Sequence, residues 1–196
     1  MTDPTTLLPY RLSIAGLHEL DGYLDADVSH VISFLDPDFP RPATLDRLEV
    51  EWRETFRVHD IIDDDDERAG WTLPSERDVA RILAIGERLA SARVRHLLVH
   101  CHMGMSRSTA AAAMLMAQHN PGREADVFAA LARIRRPSWP NSLMLEYADR
   151  LLGRDGACRA ALDGLYRDMA TSFPGWPTSC ATAPARAKSP KASSRR

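Results

Sequence analysis

The chain has 196 residues, 44% of them apolar and 27% charged, with a formal net charge of −2. That length and apolar share suit one globular domain with a sizeable core, and the nearly balanced charge gives no ground for expecting a nucleic-acid binder. Three cysteines are an odd and small number for a disulfide framework, so a reducing cytoplasm is the expected setting, and Asp3 near the N-terminus and the lack of any ~20-residue apolar run argue against a signal peptide or membrane span.

Taken in chain order, strand and helix patterns alternate, and no internal repeat interrupts them. Leu12 to Ala15 reads as a short strand, and Gly16 to Leu20 begins a helical turn. His30 to Leu35 is β-rich and ends at Asp36-Pro37, a pair that disfavours helix. Residues 36 to 44 hold three prolines and read as loop; Thr55 to His59 alternates like a half-buried strand and runs into an acidic loop, Asp60 to Gly70. Ser75 is placed to cap a helix through Leu89, whose apolar positions Val79, Ile82, Leu83, Ile85 and Leu89 follow helical spacing. Val94 to His100 is the central strand. Ser106 and Ser108 then cap an alanine-rich helix from Thr109, fit for close packing on a sheet. Helices are expected over Glu124 to Arg136, Leu143 to Leu152 and 156 to 170.

This alternation predicts a single α/β domain: a central, mainly parallel sheet of four to five strands flanked by helices. The domain should extend over residues 1 to 175. Residues 176 to 196 read as a disordered tail, basic through Arg186, Lys188, Lys191, Arg195 and Arg196, although a weak arm for an anionic surface is the other reading.

Chemistry concentrates in the turn after the central strand, where Cys101 is followed six residues later by Arg107, with Gly104, Ser106 and Ser108 between and beside them. The spacing alone is weak. With 23 Arg and three Cys, chance would place an Arg six residues after a Cys about a third of the time. Cys180 and Arg186 repeat it without a strand, a glycine or a helix. Context carries the inference: only a thiolate is a good nucleophile, an ordinary thiol with a pKa of about 8.5 is mostly protonated at neutral pH, and this turn supplies cations and dipoles for an anion. Amides of residues 102 to 107 can form a nest, the following helix offers its positive end, and Arg107 can fork onto two oxygens. Gly104 allows a close backbone approach. The suited ligand is a tetrahedral dianion such as phosphate, and the chemistry needs neither metal nor cofactor.

The run His100-Cys101-His102-Met103-Gly104-Met105-Ser106-Arg107-Ser108 resembles the HCxxGxxRS signature of the cysteine-dependent protein tyrosine phosphatase superfamily, and looks closest to its compact dual-specificity-like branch, small bacterial members included. Nine contiguous residues anchor the likeness, which extends loosely over residues 10 to 152. Pro140-Asn141 resembles a downstream pair whose Asn braces the phosphate loop. The resemblance implies that Cys101 attacks phosphorus and that Arg107, with the amides of His102, Met103, Gly104, Met105 and Ser106, binds the phosphoryl oxygens. It further implies that Ser108 hydrogen-bonds the sulfur and that His100 orients the loop. Relatives carry the general acid just after the strand before the long helix. Here that is Asp60, with Asp63 as the alternative in a run that continues through Asp66.

Other readings stay open. His102 is either a pocket-rim residue or a solvated loop residue; Met103 and Met105 either touch substrate or only pack the loop. Cys158 and Cys180 are either incidental or resolving thiols. The expected substrate is a phosphorylated protein or a small phosphomonoester, with phosphotyrosine first and phosphoserine or phosphothreonine beside it. A phosphoinositide or RNA 5′-phosphate, and a non-catalytic phosphate-binding role, are the alternatives. Nothing in the sequence sets the oligomeric state.

Overall fold

The computed structural model describes residues 7–63 and 70–174. Its elements are β1 (Arg11–Ala15), a 3-10 helix (Leu17–Tyr23), β2 (His30–Leu35), α1 (Ala43–Arg47), β3 (Trp52–Arg57), α2 (Glu76–Ser91), β4 (His96–His100), α3 (Arg107–His119), α4 (Glu124–Ile134), α5 (Ser142–Leu151) and α6 (Ala157–Ser172). The four strands form one all-parallel sheet in the order β1-β4-β2-β3. The acidic residues Asp64 to Asp66, the Cys180–Arg186 repeat and the basic tail lie outside the described residues.

The two central strands, β4 and β2, are buried along their whole length because both faces of the sheet are covered, which is why they read as nearly continuous apolar runs. Their polar residues are paired inside: His100 Nε2 meets Ser33 Oγ at 2.7 Å across the register, and His96 bridges Ser13 Oγ at 2.8 Å and the Ala26 carbonyl at 2.9 Å. One face carries helices α2 to α6 over the larger apolar cluster; the 3-10 helix and α1 cover the other with Leu20, Leu45 and Leu48. Helix α3 is buried from Arg107 to Ala117, and the run Ala110 to Ala113 is wholly enclosed, since only methyl side chains let a helix lie this close to a sheet and to α2, α4 and α5.

Several boundaries differ from the sequence reading for identifiable reasons. Ser75 does form a capping box with Asp78, but the side chains of Ser106 and Ser108 do not cap α3; both are drawn to partners in the loop, and the helix starts at Arg107. Strand β3 begins three residues earlier than expected and releases Val58, whose carbonyl turns to Arg107. Part of the proline-rich loop forms α1, and α4 stops at Ile134, two residues early.

Because every strand runs the same way, all four carboxyl ends reach one edge of the sheet. Gly16 follows β1, Asp36 follows β2, Val58 to Asp60 follow β3, and Cys101 follows β4. An open parallel sheet offers its binding crevice at this edge.

Candidate active site

The loop from Cys101 to Arg107 is held by its carbonyls. Leu17 N–H donates to the His102 carbonyl (2.9 Å), Arg135 Nη2 to that of Met103 (2.9 Å), and Trp139 N–H to that of Met105 (2.8 Å). The Ser106 carbonyl accepts from Ala110 N–H (2.9 Å), Asn141 N–H (3.3 Å) and Thr109 Oγ1 (2.8 Å). In a planar trans peptide the N–H points opposite to the C=O. Each held oxygen therefore turns the amide that follows it, at Met103, Gly104, Ser106 and Arg107, away from the group that holds it. The Gly104 N–H is 3.2 Å from Cys101 Sγ, in agreement with that orientation.

Gly104 has φ +71°, and a Cβ there would stand 2.5 Å from the carbonyl carbon of Ala15 and 2.6 Å from the nitrogen of Gly16. Backbone thus packs on backbone where the loop meets the end of β1, and only glycine fits. Glu19 completes the brace from outside: its carboxylate accepts from Gly16 N–H (2.6 Å) and, through both oxygens, from Arg135 Nη1 (2.7 Å each). Partial burial pushes the Glu19 carboxyl up, but the Arg135 and Gly16 hydrogen bonds outweigh it and hold it below its ordinary range.

Cys101 is 1% exposed, and its sulfur has Ser108 Oγ at 3.2 Å as well as the Gly104 amide. Arg107, the first residue of α3, is equally enclosed. Its Nη1 donates to Asp36 Oδ1 and to the Val58 carbonyl, both at 2.6 Å. Asp60 faces the loop from β3: Oδ1 accepts from Ser106 Oγ (2.6 Å) and Asn141 Nδ2 (3.2 Å), while Oδ2 lies 3.9 Å from Arg107 Nε. Asp63 is exposed and its place is further along the same segment.

Asn141 works differently from the brace the sequence suggested. Its backbone N–H supports the Cys101–Arg107 loop at Ser106, while its side chain holds the Asp60 segment, through Asp60 and the Ile61 carbonyl (3.1 Å), and caps α5 by accepting from Met144 N–H. His100 lies under the loop. Burial, reinforced by His102 and Arg107 nearby, lowers its pKa to about 4; the Cys101 backbone opposes this without meeting Nδ1 in a well-formed hydrogen bond, so the ring is neutral at neutral pH.

His102, left open between pocket rim and solvated loop, is half-buried. Its ring packs 4.5 Å from that of Phe39, and Nε2 accepts the Asp36 N–H at 3.3 Å. Met105 is half-buried against the main core, whereas Met103 is 57% exposed. On the acid side Trp71, 49% exposed, stacks on His59 at 4.8 Å, and His59 exchanges hydrogen bonds with Thr72. Sequence reasoning missed Asp36, Glu19, Arg135 and Gly16. The Asp36-Pro37 turn was legible, but nothing local tied it to an arginine 71 residues away.

No family model matches the chain, and no curated protein does. Solved structures do. Tk-PTP in its active form superposes with a TM-score of 0.52 at 20% identity over 78% of this chain and 99% of its own. Human DUSP28 gives 0.51 at 18% over 73% and 94%, and DUSP15 gives 0.51 at 20% over 86% and 95%. The chain has the α/β fold of the tyrosine and dual-specificity phosphatases.

Proposed function

We propose that this chain is a metal-independent phosphomonoesterase that hydrolyses phosphotyrosine, and also phosphoserine and phosphothreonine, through a cysteinyl-phosphate. The observation that carries the reading is the setting of one sulfur: Cys101 Sγ within 3.2 Å of both the Gly104 amide and Ser108 Oγ, in a loop whose Ser106 and Arg107 face Asp60. The fold of the structural neighbours supports it.

A phosphate seated in the nest accepts hydrogen bonds from the loop amides and from the guanidinium. Cys101 thiolate attacks phosphorus; the S–P bond forms as the P–O bond to the leaving group breaks, and Asp60 gives that oxygen its proton. In the second step water attacks phosphorus, the Asp60 carboxylate takes a water proton, and the S–P bond breaks with its electron pair returning to sulfur. Ser108 Oγ stabilises the departing thiolate. Positive charge at the equatorial oxygens comes from Arg107, the amides and the α3 terminus, so the chemistry proceeds without a metal.

Met103 and Trp71 favour an aryl ester. They are two of the four large apolar side chains exposed among the described residues, one on the phosphate loop and the other stacked beside Asp60 on His59. The loop offers no extra cation for a phosphoinositide or RNA phosphate, and a non-catalytic binder has no need for an opposed carboxylate. Hydrolysis of p-nitrophenyl phosphate, with and without chelator, tests the proposal. Turnover should survive chelation and vanish in Cys101→Ser; absence of cysteine-dependent turnover rejects it.

A further inference from the structure

Ser106 stands just before α3, where a serine hydroxyl ordinarily caps the helix by accepting from an amide of its first turn. Here the hydroxyl makes no such bond. It donates its one hydrogen to Asp60 Oδ1 at 2.6 Å. Nor does the hydroxyl hold the loop. That falls to the Ser106 carbonyl, which accepts from Ala110 N–H (2.9 Å), Asn141 N–H (3.3 Å) and Thr109 Oγ1 (2.8 Å). The side chain serves the carboxylate alone.

The two oxygens of Asp60 are held unequally. Oδ1 has a second donor, Asn141 Nδ2 at 3.2 Å, and that amide is itself fixed: Nδ2 also donates to the Ile61 carbonyl (3.1 Å), while Asn141 Oδ1 accepts from Met144 N–H (3.1 Å). Asp60 Oδ2 has no hydrogen bond among the described residues and lies 3.9 Å from Arg107 Nε, which is buried and also without a hydrogen-bond partner. A carboxyl group free to turn would present either oxygen to a ligand. Two donors at Oδ1, one from the loop and one from the start of α5, fix its plane and oppose a proton at that oxygen. The proton of the neutral acid therefore belongs on Oδ2, the oxygen beside Arg107.

We infer that the Ser106 hydroxyl is a positioning group: with Asn141 it pins Asp60 Oδ1, so that Oδ2 carries the proton and gives it to the leaving oxygen. The inference rests on the phosphatase reading of the site. The hydroxyl acts through Asp60 and does not touch substrate. The competing role for the same contact is a latch, which draws the carboxylate onto the loop and must open before substrate is seated. Loss of the hydroxyl would then speed the reaction instead of slowing it.

Two aryl phosphates separate these roles through kcat/KM of the full chain: phenyl phosphate, whose leaving oxygen needs the proton, and 2,4-dinitrophenyl phosphate, whose leaving oxygen does not. Ser106→Ala should lower kcat/KM about tenfold for phenyl phosphate, a part of the ~10²–10⁴ that a positioned acid supplies, and less than about twofold for the dinitrophenyl ester. The ratio of the two rates in one preparation is independent of how much of the protein is folded. In an Asp60→Ala background the same substitution should change the phenyl phosphate rate by less than about twofold, because the group through which the hydroxyl acts is gone. Equal losses on both esters, an unchanged or faster phenyl phosphate rate, or a further loss of about tenfold on top of Asp60→Ala overturns the inference. If Asp60→Ala itself leaves phenyl phosphate hydrolysis intact, the acid is elsewhere and this inference falls while the phosphatase reading stands. If the wild-type chain hydrolyses neither ester, the phosphatase reading falls first and takes this one with it.

Discussion

Two free cysteines, Cys101 and Cys158, are equally buried at 1% exposure, and each sits by the N-terminus of a helix. Their chemistry should still differ widely. At Cys158 the helix terminus is already occupied: Asp149 accepts the Gly156 N–H (2.7 Å) and the Cys158 N–H (2.8 Å). Burial first, and then Asp149 and Glu124, push the Cys158 thiol up to about 12. At Cys101 the neighbours are an amide and a hydroxyl, and the carboxylates of Asp36 and Asp60 are engaged by other donors. Neither burial nor a helix dipole makes a reactive thiol; the sign of what is aimed at the sulfur does.

The sharpest way to break this contrast is chemical. Cys101→Ser should remove turnover altogether, while Cys158→Ser keeps kcat within about twofold, since Cys158 touches no part of the site. Iodoacetamide at pH 7 should label Cys101 and spare Cys158, as read by peptide mass; equal labelling would show that the electrostatic distinction is wrong. Next in size, Asp60→Ala should cost about 10²–10³ in kcat on an aryl phosphate and abolish the basic limb of the pH–rate profile, because the acid that must be protonated is gone. Loss of that limb in Asp63→Ala instead would move the assignment to Asp63.

Ser108→Ala should slow dephosphorylation about 10–100-fold, the range for a hydrogen bond to a charged atom, and produce a burst of p-nitrophenol under rapid mixing. A proportional fall without a burst would place Ser108 in the first step. Under the loop, His100 has a depressed pKa in the folded state, so the unfolded chain binds the extra proton between about pH 6.5 and 4. Stability that is present above pH 6.5 is therefore lost as the pH falls through about 4, on the order of 3 kcal/mol for this group. Urea melts at pH 7 and pH 5 should show the loss in the wild type and a flatter response in His100→Gln. The smallest effect is expected at the rim: Trp71→Ala should raise KM for a phosphotyrosine peptide about three- to fivefold and leave a phosphoserine peptide nearly unchanged, in keeping with partial loss of one apolar contact.

The local structure of residues 100 to 108 could be read from the sequence because it is set by near neighbours in the chain. A strand, a tight turn and a helix start lie within one short stretch, and the loop amides, sulfur, Ser108 and arginine are joined by the chain itself. Helix α2 and its Ser75 cap were legible for the same reason, spacing within a turn or two of backbone. Ser106 and Ser108 show where such reading fails. Both carry the residue type of a helix cap, yet Asp60, 46 residues away, and Cys101 take their hydroxyls, because a carboxylate and a sulfur aimed from neighbouring strand ends compete with the local amides.

The sequence by itself determined the tight turn from Cys101 to Arg107 between a strand and a helix, the α/β alternation and a short choice of acids. Tertiary structure alone decided that Asp60 is the carboxylate set against the loop, that Asp36 takes the back of Arg107, and that Glu19 and Arg135, 116 residues apart, clamp the loop from outside. The physical reason is the parallel sheet. It brings four strand ends from distant parts of the chain to one edge, and no periodicity along the chain records which ends will be neighbours.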